Sequence, residues 1–299
     1  MKYIDEFLKH LKLNHYATRT IRSYSGNLKK LGFYFEKKGI YDEKLITEKD
    51  IIDFLVYLKK NGATNGVYHR TVYEMKKYFN YLEKEKIIFV SPAENIETPK
   101  RVTKPTKVLD KDELIEMLDN IKTDNTRCIR VKAILELMYS SALRPCEVLK
   151  IKIMDIDFSK KVLFINQSKS KKDRVVPVTD KALLWVGKYI KEVRPRFLKN
   201  KNNNYLFIPH YKPSGKENLN YKDLFYIVNR YFIRNNIERF NLYSLRSSSA
   251  THLLLNGMDT LHIQKFLGHE RVTTTQSYLR LNTLELKSIL DTRHPRNKY

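Results

Sequence analysis

The chain has 299 residues, enough for two domains of ordinary size, each with its own core. Its 57 Lys and Arg against 33 Asp and Glu leave a formal charge of +24, and the acids do not keep pace as they do in Lys- and Glu-rich thermophile proteins. The excess predicts a polyanionic partner, nucleic acid above all, while the lack of any run of about 18 apolar residues argues against a membrane-spanning helix.

The N-terminal stretch MKYIDEFLKHLKLNHY reads as an amphipathic helix and not as a signal peptide, because charges interrupt every apolar run. Residues Thr18 to Gly39 place Ile21, Tyr24, Leu28, Leu31 and Phe35 at helical spacing, with Gly39 as the stop. Thr47 followed by Asp50 predicts a capped helix start running to Lys60. A fourth helix, about Val67 to Lys86, carries Val72, Met75, Phe79 and Leu82 on one stripe. The Lys- and Tyr-rich opposite faces suit either solvent or phosphate contact. Then SPAENIETPKRVTKPT brings three prolines and no apolar period, so residues 96–106 are expected to form a basic linker between a helical domain, 1–95, and a second domain, 107–299.

In the second domain, Asp110 with Glu113 opens a helix to about Ile121, and another covers about Arg127 to Ser140. Val162–Asn166 and Arg174–Val178 are short β-branched runs on either side of SKSKKD, which predicts a strand, a basic hairpin and a strand. Helices are expected at about Asp180–Val193, Tyr221–Arg234, Tyr243–Leu255, Thr260–Phe266, Thr273–Leu281 and Thr283–Leu290. The fold class is therefore mainly α with a small antiparallel β-sheet (α+β).

Several residues carry chemistry. Arg144, in LMYSSALRPCEVLKI, falls on the turn between two helices, with Pro145 placed as the first residue of the second and Glu147 close enough to orient the guanidinium. Arg246 lies early in the helix YSLRSSSATHLLLNG, whose small residues Ser247 to Ala250 allow close packing. Two Arg forks can grip the oxygens of one phosphate and offset charge that builds in a pentavalent transition state. Tyr278 sits nine residues after His269 of KFLGHE. A phenol, with a pKa of about 10, attacks phosphorus only when cations stabilise its phenolate and hold the phosphate in line. The hairpin offers three lysines, Lys169, Lys171 and Lys172, and a lysine there, Lys169 among them, is the right residue type for a general acid that protonates a departing oxygen. Taken singly, each has a plain alternative as a surface or structural side chain.

Together the boxes resemble the tyrosine recombinases of the phage-integrase and Xer type. ALRPCEVLKI is similar to the family's first catalytic Arg box, SKSKKDRVVPV to its hairpin Lys box, and YSLRSSSATHLLLNGMDTLHIQKFLGHERVTTTQSYLR to its second half; the likeness covers about residues 107–290 and extends weakly into the N-terminal helices. The resemblance implies a SAM-like core-binding domain that closes with the catalytic domain around double-stranded DNA. It assigns Arg144 and Arg246 as phosphate clamps, Lys169 as the leaving-group acid, His269 as a hydrogen-bond donor to the phosphate and Tyr278 as the nucleophile. It further implies a 3′-phosphotyrosine intermediate, strand exchange in a tetrameric synapse, and docking of Thr283–Tyr299 into a neighbour; Leu286, Ile289 and Leu290 form one apolar helix face there.

One departure stands out. The family's His-x-x-Arg has Tyr243 at the His position and Ser247 after the Arg. A neutral Tyr cannot accept a proton as imidazole does, but its hydroxyl can still hydrogen-bond a phosphate. Two competing functions are a type IB topoisomerase, which shares the chemistry but rejoins the same strand, and a DNA-binding protein that occupies its site without cutting. No metal is expected, since His252, His262 and His269 lack ligand spacing and Cys128 and Cys146 lack a Cys-x-x-Cys pattern. No nucleotide cofactor is expected either, as no Walker-type loop occurs. The two unpaired cysteines suit a reduced, cytoplasmic setting.

Overall fold

A computed structural model describes residues 1–98, 107–166, 173–198, 202–209 and 218–268, and α3, α4, α5, α6, α8, α10, α11 and α12, as introduced below, start on a side-chain cap. The chain divides into two units, Met1–Lys104 and Pro105–Tyr299.

The described part of the first unit contains α1 (Ile4–Leu13), α2 (Thr18–Lys37), α3 (Glu48–Lys60) and α4 (Asn65–Lys84). Thr47 and Asp50 close the expected capping box on α3. Past α2, Gly39 takes a φ of 75°, a left-handed conformation that ends the helix without a Cβ clash. The helical stripes meet in one core around Phe7, Tyr24, Leu28, Leu31, Phe35, Phe54 and Phe79. Each such buried apolar side chain contributes roughly 1.5–3 kcal/mol relative to exposure. Tyr78 is also buried and donates from its hydroxyl to the buried carboxylate of Glu43 at 2.8 Å, so the polar tip is satisfied inside the core.

The second unit is organised around α6 (Thr126–Ser140), whose residues Ile129 to Met138 are all buried. It packs against α5 (Lys111–Asp119), α8 (Asp180–Lys188), α10 (Tyr221–Arg234) and α11 (Leu242–Leu255). A helix enclosed on all sides loses its amphipathic signature, and its buried run includes Arg130, Lys132 and Glu136. After α6 comes the short α7 (Pro145–Val148), and then a three-stranded antiparallel sheet of order β1 (Ile156–Asp157), β2 (Val162–Ile165) and β3 (Arg174–Pro177). β1 has no counterpart in the sequence reading, being too short to show a period. The β2–β3 register pairs Ile165 with Arg174, which puts Arg174 at the hairpin end of the sheet.

The helix expected over Asp180–Val193 differs from the observed one. It widens into a π-turn at Tyr189–Val193 and continues as α9 (Arg194–Phe197). Pro195 is the cause: it has no N–H to donate and its ring crowds the carbonyl four residues back, and the wider turn relieves that crowding. The last described helix, α12 (Thr260–Leu267), ends on Gly268 at a left-handed φ of 63°. The helices expected at Thr273–Leu281 and Thr283–Leu290, and linker residues 99–106, lie outside the described residues.

Candidate active site

Where α6 ends, the chain makes the tight turn Ser141–Ala142–Leu143. Ala142 takes a left-handed φ of 44°, uncommon for a residue with a Cβ, and its carbonyl accepts from Arg246 Nη1 at 2.7 Å. Arg144 is then the N-cap of α7, with Pro145 at the first helical position as anticipated. Glu147, three residues on, reaches back with Oε2 to the Arg144 backbone N–H at 2.8 Å and with Oε1 to Arg144 Nη1 at 2.8 Å. One carboxylate thus caps the helix and holds the guanidinium.

The same carboxylate receives two more arginines. Arg174, opening β3, forms a bidentate pair with Glu147, Nη1 to Oε1 and Nη2 to Oε2, both at 2.9 Å. Arg246, the fifth residue of α11, brings its Nη1 to 3.9 Å from Oε2 and donates from Nη2 to the Leu267 carbonyl at 2.7 Å. The cluster is nearly sealed, with side-chain exposures of 4% for Glu147 and 3% for Arg246. Burial alone would raise the Glu147 carboxyl. The hydrogen bonds and charge of Arg174, followed by those of Arg144, outweigh it and hold the pKa at about 2. Three guanidiniums around one carboxylate leave two positive charges in excess, with Arg144 the most exposed of the four side chains at 15%, an arrangement suited to an anion.

The arginine cluster is tied to the end of α12 as well. A Cβ on Gly268 would lie 2.8 Å from Arg174 Cδ, so glycine is required there both for its φ and for the close passage of Arg174. Leu267 and Gly268 are therefore clamped between Arg246 and Arg174.

Tyr243, the second residue of α11, is 40% exposed. Burial first, then Cys146 and Tyr221, push its phenol above the ordinary value, against the pull of Arg144 and Arg246. A phenol so raised stays protonated at neutral pH and is available as a donor, not as a base. Ser247 turns back onto its own helix and donates to the Tyr243 carbonyl at 3.2 Å.

Among the sequence-derived site residues the structure thus brings Arg144, Arg246 and Tyr243 together. Lys169, His269 and Tyr278 lie outside the described residues. Sequence reasoning misses Arg174, although it stands in SKSKKDRVVPV, the stretch similar to the family's hairpin Lys box; a third arginine in one of the matching boxes is the signal that could have found it. Of the other histidines, His252 is buried between the Tyr139 hydroxyl at 2.8 Å and the Leu109 carbonyl at 3.0 Å. Burial lowers its pKa, which suits a neutral core imidazole. His262 is exposed. Among the described residues no three His, Cys, Asp or Glu side chains gather as metal ligands, and no helix is long and apolar enough to cross a membrane.

Residues 107–285 match the phage integrase family, and residues 4–86 match the phage integrase N-terminal SAM-like domain. The tyrosine recombinase XerD of Staphylococcus haemolyticus is 30% identical over 296 residues, covering 98% of each chain. Among solved structures, the Tn1549 transposon integrase in complex with a circular intermediate DNA superposes with a TM-score of 0.74 at 15% identity, covering 98% of this chain and 99% of that one. The XerH site-specific recombinase bound to a palindromic difH substrate gives a TM-score of 0.72 at 22% identity, covering 96% and 83%. At those identities the two structures establish a common fold.

Proposed function

The chain belongs to the phage integrase family and is a tyrosine site-specific recombinase, and from that premise we propose that it cuts duplex DNA with Tyr278. The phenol oxygen attacks a backbone phosphorus, the P–O bond to the 5′ oxygen breaks, and a 3′-phosphotyrosine and a free 5′-hydroxyl result. The ester conserves the bond energy, so a 5′-hydroxyl from a partner strand reverses the step and exchanges the strands.

The observation that carries this reading is the buried carboxylate ringed by Arg144, Arg174 and Arg246, with its surplus of positive charge. Arg144 and Arg246 stabilise the charge that develops on the phosphate, and preorganisation is what makes them effective. Rotating a solvated arginine into place would cost entropy during the reaction, whereas here Glu147 and two backbone carbonyls have already fixed the guanidiniums. Tyr243 donates a hydrogen bond to the phosphate in place of the family's imidazole. Deprotonation of Tyr278 then falls to water or to the cationic pocket. His269 follows directly on the clamped Leu267–Gly268 pair and serves as a further donor. Lys169, on the segment joining β2 to β3, protonates the departing 5′ oxygen.

Double-stranded DNA is the partner, consistent with the charge of +24. Four protomers act together on paired sites, with Thr283–Tyr299 docking on a neighbour, and the work is done on cytoplasmic DNA. The test begins by sequencing genomic fragments trapped covalently on the protein, then uses nicked duplexes of the enriched site. Wild-type protein is expected to form an adduct that Tyr278→Phe loses while still binding DNA. An adduct that persists in Tyr278→Phe refutes the assignment of the nucleophile. Binding without any wild-type adduct refutes cleavage altogether. Relaxation of supercoiled DNA without exchange between two sites refutes recombination in favour of topoisomerase chemistry.

A further inference from the structure

An ionised carboxylate has room for about four hydrogen-bond donors, two on each oxygen. At Glu147 all of these places are taken. Oε1 accepts from Arg144 Nη1 at 2.8 Å and from Arg174 Nη1 at 2.9 Å. Oε2 accepts from the Arg144 backbone N–H at 2.8 Å and from Arg174 Nη2 at 2.9 Å. Arg246 Nη1 is left 3.9 Å from Oε2, beyond hydrogen-bond reach, and donates to the Ala142 carbonyl at 2.7 Å.

The three arginines therefore stand differently toward the carboxylate. Arg174 gives it both Nη nitrogens, and its Nε is buried. Arg144 gives it one guanidinium nitrogen, and Arg246 Nη1 is held off it. A forked Arg–carboxylate pair is the strongest of these arrangements, and its two charges cancel within the pair. Arg174 is also locked in place. It opens β3 in register with Ile165, and its Cδ passes so close to the end of α12 that a Cβ on Gly268 would lie 2.8 Å from it.

With Arg174 removed, one place opens on each carboxylate oxygen. Arg246 Nη1 needs to travel only about 1 Å, the gap between 3.9 Å and an ordinary hydrogen bond, to fill the place on Oε2. The attraction is strong because both side chains are buried, where water screens it little. The carboxylate would then cancel the charge of an arginine that a phosphate needs.

We infer that Arg174 is a positioning residue: it occupies Glu147 so that Arg144 and Arg246 keep their positive charge for the DNA phosphate, and it does not itself touch that phosphate. The inference rests on the reading of Arg144 and Arg246 as the phosphate clamp. It gives the third arginine a task distinct from theirs, that of keeping the acid that anchors the site from quenching it.

The experiment compares full-length proteins in single-turnover adduct formation on nicked duplexes of the enriched site. Protein saturates the DNA, the temperature is well below every melt, and duplex affinity is measured separately. Arg174→Met is expected to slow the adduct roughly a hundredfold, the loss that follows removal of one charge-stabilising donor from such a centre. Its affinity for the duplex should change by less than about threefold, because many phosphate contacts share the binding. Arg174→Met combined with Glu147→Gln removes both members of the pair. The charges of Arg144 and Arg246 then stand unquenched, and the new amide oxygen can still accept from the Arg144 backbone N–H. Adduct formation should recover to within about tenfold of wild type, since replacing a whole buried ion pair costs far less than stranding one member. If Arg174→Met does not fold, Arg174→Gln takes its place in both comparisons. A double variant as slow as the single one overturns the inference, because Arg174 then either touches the phosphate or serves only the fold. So does a single variant that cuts at the wild-type rate, or one whose whole defect lies in duplex affinity. Absence of a wild-type adduct removes the cutting reading and the inference with it, whereas a wild-type adduct beside an unrescued double variant overturns the inference alone.

Discussion

Replacing Glu147 with Gln keeps the side-chain shape and removes the one carboxylate that Arg144, Arg174 and Arg246 share. The cost can be worked from the proton. In the folded chain the Glu147 carboxyl is held at about 2, against an ordinary 4.5. At about 1.36 kcal/mol per unit, the ionised form then contributes about 3 kcal/mol of stability at neutral pH. Because the folded value is depressed, that contribution is complete above the ordinary carboxyl range and is lost as pH falls from about 4.5 toward 2. By pH 3 the difference between wild type and Glu147→Gln should have shrunk by about 2 kcal/mol. Removing one member of a buried ion pair also strands its partners, which pushes the neutral-pH cost toward the upper part of the 3–5 kcal/mol range seen for such changes. Trp185 is the chain's single tryptophan and belongs to the second unit, so its fluorescence during urea unfolding reports on the unit that holds the cluster. Equal stabilities at pH 7, or a gap that does not narrow between pH 7 and pH 3, would refute the idea that Glu147 is the electrostatic centre of the site.

Further outcomes follow from other contacts. Gly268→Ala forces a Cβ into a left-handed position and to within 2.8 Å of Arg174 Cδ; it should cost roughly 1–2 kcal/mol from the backbone alone, and a thermal melt identical to wild type would count against the clamp. Tyr243→Phe should slow adduct formation on a nicked substrate roughly tenfold or more, as expected for losing a hydrogen bond to a charged group, and Tyr243→His should restore the rate; a fully active Phe variant would remove the hydroxyl from the mechanism. Thr47→Ala deletes the side-chain acceptor of the Asp50 N–H and should cost about 1 kcal/mol, read as roughly fivefold faster amide exchange confined to α3 and its contacts.

The parts of this molecule legible in its sequence are those held by short-range interactions. The Thr47–Asp50 box, the Asp110 cap of α5 and the Gly39 stop each depend on residues within one helical turn, and each stands where a linear reading places it. Arg144 with Glu147 is of the same kind, a pair three residues apart across a Pro-started turn. Periodicity marked the buried stripe of α4, but it said little about α6, where enclosure on every side removes the polar face that a period needs. Tertiary structure alone decided that Arg174 and Arg246 converge on the same carboxylate, from 27 residues away in one case and through a carbonyl 104 residues away in the other. It also decided that Arg130 would be buried, with no acceptor for its Nε and Nη1 among the described residues. The physical reason is the range of the forces that select each feature. Caps and turns are chosen by hydrogen bonds that the local chain can make by itself, whereas a charge cluster exists only once the packing of distant helices and a hairpin has excluded water from between its members.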